Sequence, residues 1–160
     1  MKKTTEFLFI VILLTHLQGF FGNLYEEILT PNSIVASIEQ INAYSSFFSI
    51  TKPYYYYVPF TQIGVLLLIY LAFFGRLSSK IQRLLRFAAA TSGLTVVLTA
   101  YIITQYNLKM FFGDITHLAE QIHQLYLEWA ILNGIRVLLA GTTSFFLFKA
   151  YRSAIQGDLS

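Results

Sequence analysis

Apolar residues fall into four long runs separated by short polar stretches. The first covers Phe7 to Phe21, and its helical pattern carries on to Leu29, where Pro31 breaks it. The second runs from Val58 to Phe74. The third begins at Phe87, with its apolar core ending at Ile103 and its pattern at residue 105. The fourth occupies residues 127–149, with a core from Trp129 to Phe148. Each approaches the roughly 20 residues a helix needs to cross about 30 Å of hydrocarbon. No stretch alternates with a period of two, so barrel strands are not expected. The pattern predicts an all-α membrane protein. Its fold is a four-transmembrane-helix bundle forming a single domain over residues 1–160, with external loops at 30–57 and 106–126.

The first of these loops carries a pattern of its own. Asn32 is placed to cap a helix after Pro31. Ile34, Ile38, Ile41, Ser45 and Phe48 recur at helical spacing, with Glu39, Gln40 and Asn42 opposite. This predicts a short extracytoplasmic interfacial helix, ended by Lys52-Pro53. Tyr54 to Tyr57 follow at the mouth of the second span and read as an aromatic belt. The second external segment, Asn107 to Glu128, reads as a loop plus a helical extension of the fourth span.

Composition strengthens the membrane reading. The 160 residues are 56% hydrophobic and 12% charged, against about 25% charged in an ordinary soluble domain. There is no cysteine, which excludes disulfides, thiolate metal sites, thiol catalysis and redox chemistry through paired cysteines. A net charge of +3 could point to nucleic acid, but the basic residues sit at the ends of the apolar runs and form no single patch. Lys2, Lys3, Arg76, Lys80, Arg83, Arg86, Lys149 and Arg152 share one side. The other side carries Lys52 and Lys109 together with Glu26, Glu27, Glu39, Asp114, Glu120 and Glu128. The excess of Lys and Arg marks the cytoplasmic side. The expectation is a multi-pass cell-membrane protein, N-in and C-in, whose partner is the lipid bilayer. A cleavable signal peptide would share Lys2, Lys3 and the apolar core and would leave three spans. No small-x-small cleavage site follows, since the downstream residues are Gln18-Gly19-Phe20-Phe21-Gly22-Asn23.

Polar residues inside the runs need an explanation. An arginine near a helix centre costs about 2.5–3.5 kcal/mol on insertion scales. Arg136 follows Trp129 by seven residues and so lies about 10 Å deeper at 1.5 Å per residue. Trp129, Asn133, Arg136, Ala140 and Thr143 form one face of the fourth span, and Ile131, Leu138, Phe145 and Phe146 form a lipid-facing one. His16, Gly19, Asn23, Glu26 and Thr30 form a matching face of the first span, with Glu27 at its edge. An ion pair between Glu26 and Arg136 is the leading expected contact, and Glu27 is the second choice. Ser92, Thr95, Thr99 and Tyr106 add a stripe on the third span, and Gln62 and Tyr70 add polar groups on the second. These stripes predict a polar pocket opening outward between the helices. An enzyme would show a cavity of roughly 300 Å³ or more with Glu26, Asn133, Arg136 and Trp129 converging on it. A scaffold would pack the same residues without a void, because interhelical polar contacts often only hold a bundle together.

Other chemistry is less well supported by spacing. His117, Glu120 and His123 are spaced by three and three, and on a helix would spread over an arc of about 120°. Glu120-x-x-His123 has the spacing used by di-iron carboxylate bundles, which need two such motifs, and zinc would accept the three as ligands; the competing reading is a polar collar with Gln121 and Gln124, and no metal site is assigned. His16 is either a hydrogen-bonded packing residue or a proton relay facing Glu26 through water. There is no phosphate loop, dinucleotide fingerprint or serine-nucleophile elbow, and no cofactor is expected.

Trp129-x-x-x-Asn133-x-x-Arg136 resembles the W-x-x-x-N-x-x-R signature of the anthrone oxygenase-like family, most of whose members are four-helix membrane proteins of unknown function. Asn107, just after the third span, resembles the Asn of that family's P-x-N element, although here Tyr106 directly precedes it and the Pro is absent. Gly22-Asn23-Leu24-Tyr25 followed by Pro31 resembles the end of its first helix. The resemblance implies oxidation of anthrone-like aromatics by molecular oxygen, without metal or flavin. On these positions it implies that Arg136 and Asn133 stabilise an oxyanion, that Glu26 or His16 is the base, and that Trp129 stacks on the ring. Asn23, Tyr25, Glu27 and Asn107 complete the candidate set around a small lipophilic or aromatic ligand. The competing expectations are a non-enzymatic membrane binding module, a transporter-like protein, or a structural subunit of a membrane complex. Against a secondary transporter stands the lack of internal repeats and broken helices.

Overall fold

The long helices all begin before the apolar runs they contain, and the last also ends beyond its run, because backbone hydrogen bonding continues where hydropathy stops. The computed structural model describes residues 3–29, 37–47, 54–112 and 115–157. Helix α1 is Lys3–Leu29, α2 is Ile38–Phe47, α3 is Tyr54–Phe74 and α4 is Ser79–Ile102. A π turn over Ile103–Asn107 leads into the single-turn α5, Leu108–Met110. A 3-10 turn at Thr116–Leu118 precedes α6, Ile122–Gly157. Among the described residues there is no strand. The expected cap at Asn32, the stops at Pro31 and Lys52-Pro53, and the tyrosine side chains of the aromatic belt lie outside what is described.

Among the described residues, three helical stretches are long and apolar enough to cross a membrane: Lys3–Ile28, Ser79–Met110 and Ile122–Gln156. Val58–Phe74 is a shorter apolar helical stretch. With 36 residues, α6 is about 54 Å long at 1.5 Å per residue, so it extends well beyond its apolar core. The expected loop at 106–126 is correspondingly shorter, since α6 already begins at Ile122.

The four long helices close into a ring in which α1 touches α3 and α6, and α4 touches the same two. The four-residue link Gly75 to Ser78 turns α3 back into α4, and Gln82 Nε2 donates to the Gly75 carbonyl at 2.7 Å. Helices α1 and α3 approach closely at Gly64, where a Cβ would lie 2.9 Å from Thr15 Cβ. At the end rich in basic residues, Phe9, Ile12, Leu68, Leu71, Leu85, Leu147 and Ala150 form one apolar cluster. At the other end, Ile102, Tyr106, Met110, Ile115, Ile122, Tyr126 and Trp129 form a second, together with Ile41 of α2. Ile41 is 2% exposed. A helix therefore forms where one was expected, over a shorter range, and one of its side chains plugs the end of the bundle.

Burial is inverted relative to a soluble protein. Leu138 is 72% exposed and Ile131 57%, as the lipid-facing stripe predicts, whereas Asn133 is 0% and Arg136 4% exposed. Phe146 departs from that stripe by packing partly into the apolar core. A layer of buried polar groups (His16, Ser92, Asn133, Arg136, Thr143) thus lies within the ring.

Candidate functional site

The polar layer is organised around Arg136. Its Nη2 donates to Glu26 Oε2 at 2.9 Å, joining α6 to α1. The same nitrogen donates to Asn133 Oδ1. Asn133 Nδ2 in turn donates to Glu27 Oε2. Asn133 and Arg136 share a face because they are three residues apart on a helix. Glu26 and Glu27 are neighbours on α1, so each reaches a different partner. The expected Glu26–Arg136 pair forms, and Glu27 is drawn into the same cluster through the asparagine. The cluster thus gathers two carboxyl groups around one guanidinium. The Arg136 Nε–H is buried without a hydrogen-bond partner among the described residues.

Arg136 also forms part of the wall of a cavity of about 260 Å³. From α1 the wall takes His16, Gly19, Phe20 and Asn23, and from α3 Val58, Thr61 and Gln62. From α4 it takes Ser92, Thr95, Val96, Thr99 and Ala100, continued by Ile103 and Asn107 of the π turn. Helix α6 adds Arg136, Ala140 and Thr143. All four long helices therefore contribute. The volume lies just under the lower edge of the roughly 300–1,000 Å³ usual for ligand sites.

The polar groups of the wall differ in how freely they can face a guest. Thr95 and Thr99 donate to carbonyls of their own helix at 2.9 and 2.7 Å, so neither hydroxyl hydrogen is available. Thr143 likewise lies 2.9 Å from the Leu139 carbonyl of its own helix and 2.8 Å from the hydroxyl of Thr91, which stands behind the wall on α4. His16 Nδ1 lies 2.8 Å from the Ile12 carbonyl. A carbonyl only accepts, so Nδ1 carries the hydrogen, and in the neutral ring Nε2 is an acceptor. Ser92 Oγ then donates to Nε2 at 3.1 Å.

The π turn places Asn107. On an uninterrupted α-helix, eight residues after Thr99 would carry it about 80° around the axis. The wider turn lags behind that rotation and keeps Thr99, Ile103 and Asn107 all in the cavity wall. Asn107 Oδ1 accepts the Trp129 indole N–H at 2.7 Å.

The structure separates the predicted site residues into groups. His16, Asn23, Asn107 and Arg136 line the cavity. Glu26, Glu27 and Asn133 stand behind Arg136 and do not line it. Trp129, expected to stack on a substrate ring, is buried edge-on against Phe111 and beside Tyr126, with centroids 5.8 and 5.5 Å away. Its indole N–H is already engaged, so it is a packing residue of the end cluster. Tyr25 is 50% exposed on α1 and lies outside the wall. His16 faces Ser92, and Glu26, ten residues further along α1, is about 15 Å away along the axis. The two side chains therefore make no direct contact.

Two further expectations change. Tyr70 is exposed and stacks on Phe74, with centroids 6.1 Å apart. Tyr106 donates to Glu128 Oε2 at 3.0 Å. Neither faces the cavity. His117 falls in the 3-10 turn, Glu120 in the turn after it, and His123 at the start of α6. The helix that would have aligned them is not continuous, and among the described residues no three metal-ligating side chains gather. The pairings Ser92–His16 and Thr91–Thr143 were not predicted, because spacing within one helix says nothing of its partner.

No family model, no curated protein and no solved structure matches the chain. The likeness to the anthrone oxygenase-like family rests on its few motif residues alone.

Proposed function

We propose that this is a four-span protein of the cell membrane, N-in and C-in, that holds a small lipophilic or aromatic molecule in the cavity beside Arg136, reached from the external side. The observation that carries this reading is a buried cation in the wall of a cavity bounded by all four long helices. The wall chemistry defines the guest. Phe20, Val58, Val96, Ile103 and Ala140 favour an apolar or aromatic body. Arg136, Asn23 and Gln62 carry N–H donors, which favour a carbonyl, hydroxyl or similar oxygen.

The test is gentle purification followed by mass spectrometry of extracted small molecules. Wild-type protein should carry a bound aromatic or lipophilic compound. Ala140→Leu, which fills the cavity from a buried wall position, should lose it while remaining folded. Wild-type protein that carries no such compound, and that binds none from a lipophilic library, would overturn the reading.

A catalytic form of the same reading is favoured by one observation: His16 and Arg136 border one cavity. In it, the guest displaces the Ser92 hydroxyl from His16 Nε2, which takes a proton from an acidic carbon; Arg136 holds the resulting enolate oxygen; and molecular oxygen adds to the carbanion to give a hydroperoxide, which loses water to leave a carbonyl. Oxygen uptake with an anthrone as substrate tests it. His16→Asn should abolish uptake and leave binding intact. Equal uptake by the variant would leave the binding module as the function.

A further inference from the structure

A second concavity lies at the opposite end of the molecule, between α4 and α6. It encloses about 850 Å³. Lys80 and Arg83 enter it from α4, and Lys149 and Arg152 from α6. Each pair is spaced by three, so each presents both cations on one helix face. No carboxylate lines the groove among the described residues. None of the four cations has an ion pair there either. Four like charges gathered without a counter-charge repel one another, and a groove of this kind is stabilised by an anion.

The floor is as specific as the rim. Phe87 and Phe146 stack at 5.7 Å. The Arg83 guanidinium lies 5.9 Å from the Phe87 ring and Lys149 Nζ lies 5.0 Å from that of Phe145. Charges therefore sit directly above exposed apolar rings. A soluble anion would use the rim and leave the rings uncovered, whereas an amphipathic anion would use both.

We infer that this groove binds an anionic phospholipid, with its phosphate held by Lys80, Arg83, Lys149 and Arg152 and its acyl chains on the phenylalanine floor. Basic pockets between helices on the cytoplasmic side recognise such headgroups. Arginine gives bidentate contacts to phosphate, and lysine adds compact charge. A general preference for basic residues on one side of a membrane explains their presence at this end. It does not explain their convergence, because Arg76 and Arg86 belong to the same end and lie outside the groove, the latter 5.6 Å over Phe73. The inference is independent of what occupies the cavity beside Arg136.

The test is native mass spectrometry of the purified full chain in mixed micelles carrying equal phosphatidylglycerol and phosphatidylcholine. Wild-type protein should retain phosphatidylglycerol with a preference of about tenfold or more. The variant K80Q/R83Q/K149Q/R152Q should lose that preference with its helix content unchanged by circular dichroism. R76Q/R86Q removes charge from the same end and should keep it. Equal retention of the two lipids by wild-type protein would overturn the site. Equal loss in R76Q/R86Q would reduce it to general surface charge. Displacement of the lipid by millimolar inorganic phosphate would make it a site for free phosphate and overturn the lipid assignment. If the four-residue variant does not fold, K80Q/K149Q alone should show a partial loss, and full retention there would count against the proposal.

Discussion

Arg136 and Glu26 meet at 2.9 Å although 110 positions separate them, and their contact ties α6 to α1. Breaking one side of a buried pair leaves the other charge uncompensated. Arg136→Leu should therefore destabilise the protein by about 3–5 kcal/mol. Arg136→Leu combined with Glu26→Leu should cost less than the single change. Denaturant unfolding of the detergent-solubilised variants measures both, and a purely additive result would mean that the pair is not coupled.

Asn133 connects the second carboxylate to the same arginine. Asn133→Leu removes a donor to Glu27 and an acceptor for Arg136, at a cost of about 1–3 kcal/mol for each group left unsatisfied. Asn133→Asp should be worse, because it adds a third carboxylate beside two. A thermal-stability ranking of wild type, Leu and Asp at this position checks the order.

Two glycines should respond in opposite ways to the same change. At Gly64 an added Cβ would meet Thr15 Cβ at 2.9 Å. Both atoms are fixed to their backbones, so α1 and α3 must separate, and Gly64→Ala should cost about 1–3 kcal/mol. At Gly93 an added Cβ meets nothing within 4 Å. Gly93→Ala should be neutral or stabilising by up to about 1 kcal/mol through helix propensity. Parallel melting curves compare them directly.

Trp129 separates packing from binding. Trp129→Phe keeps most of its apolar contact and loses the bond to Asn107, so it should cost about 0.5–1.5 kcal/mol. Ligand content of the cavity should change little, since the indole is not in its wall. Loss of ligand with unchanged stability would restore the ring-stacking role.

Much of the fold was legible in sequence because helix formation and burial pattern are local. Spacings of three and four put Asn133, Arg136, Ala140 and Thr143 on one face, and all four are buried. The same logic, with a shared depth from the chain's two end helices, was enough to pair Glu26 with Arg136. It failed where a stripe is wide enough for its two edges to face different neighbours. Trp129 and Tyr106 belong to such stripes, yet each turned into the end cluster. It failed again where a helix was assumed, as at His117, Glu120 and His123.

The sequence by itself determined the long apolar helices, the polar faces they carry and the basic character of one end. These depend on neighbours within a turn or two, or on composition. Only the tertiary structure decided that Ser92 meets His16, that Asn133 spans Glu27 and Arg136, that four helices leave a cavity of about 260 Å³ between them, and that four cations converge over a phenylalanine floor. Each of those depends on the rotation and approach of helices far apart in the chain, and helical periodicity leaves both free.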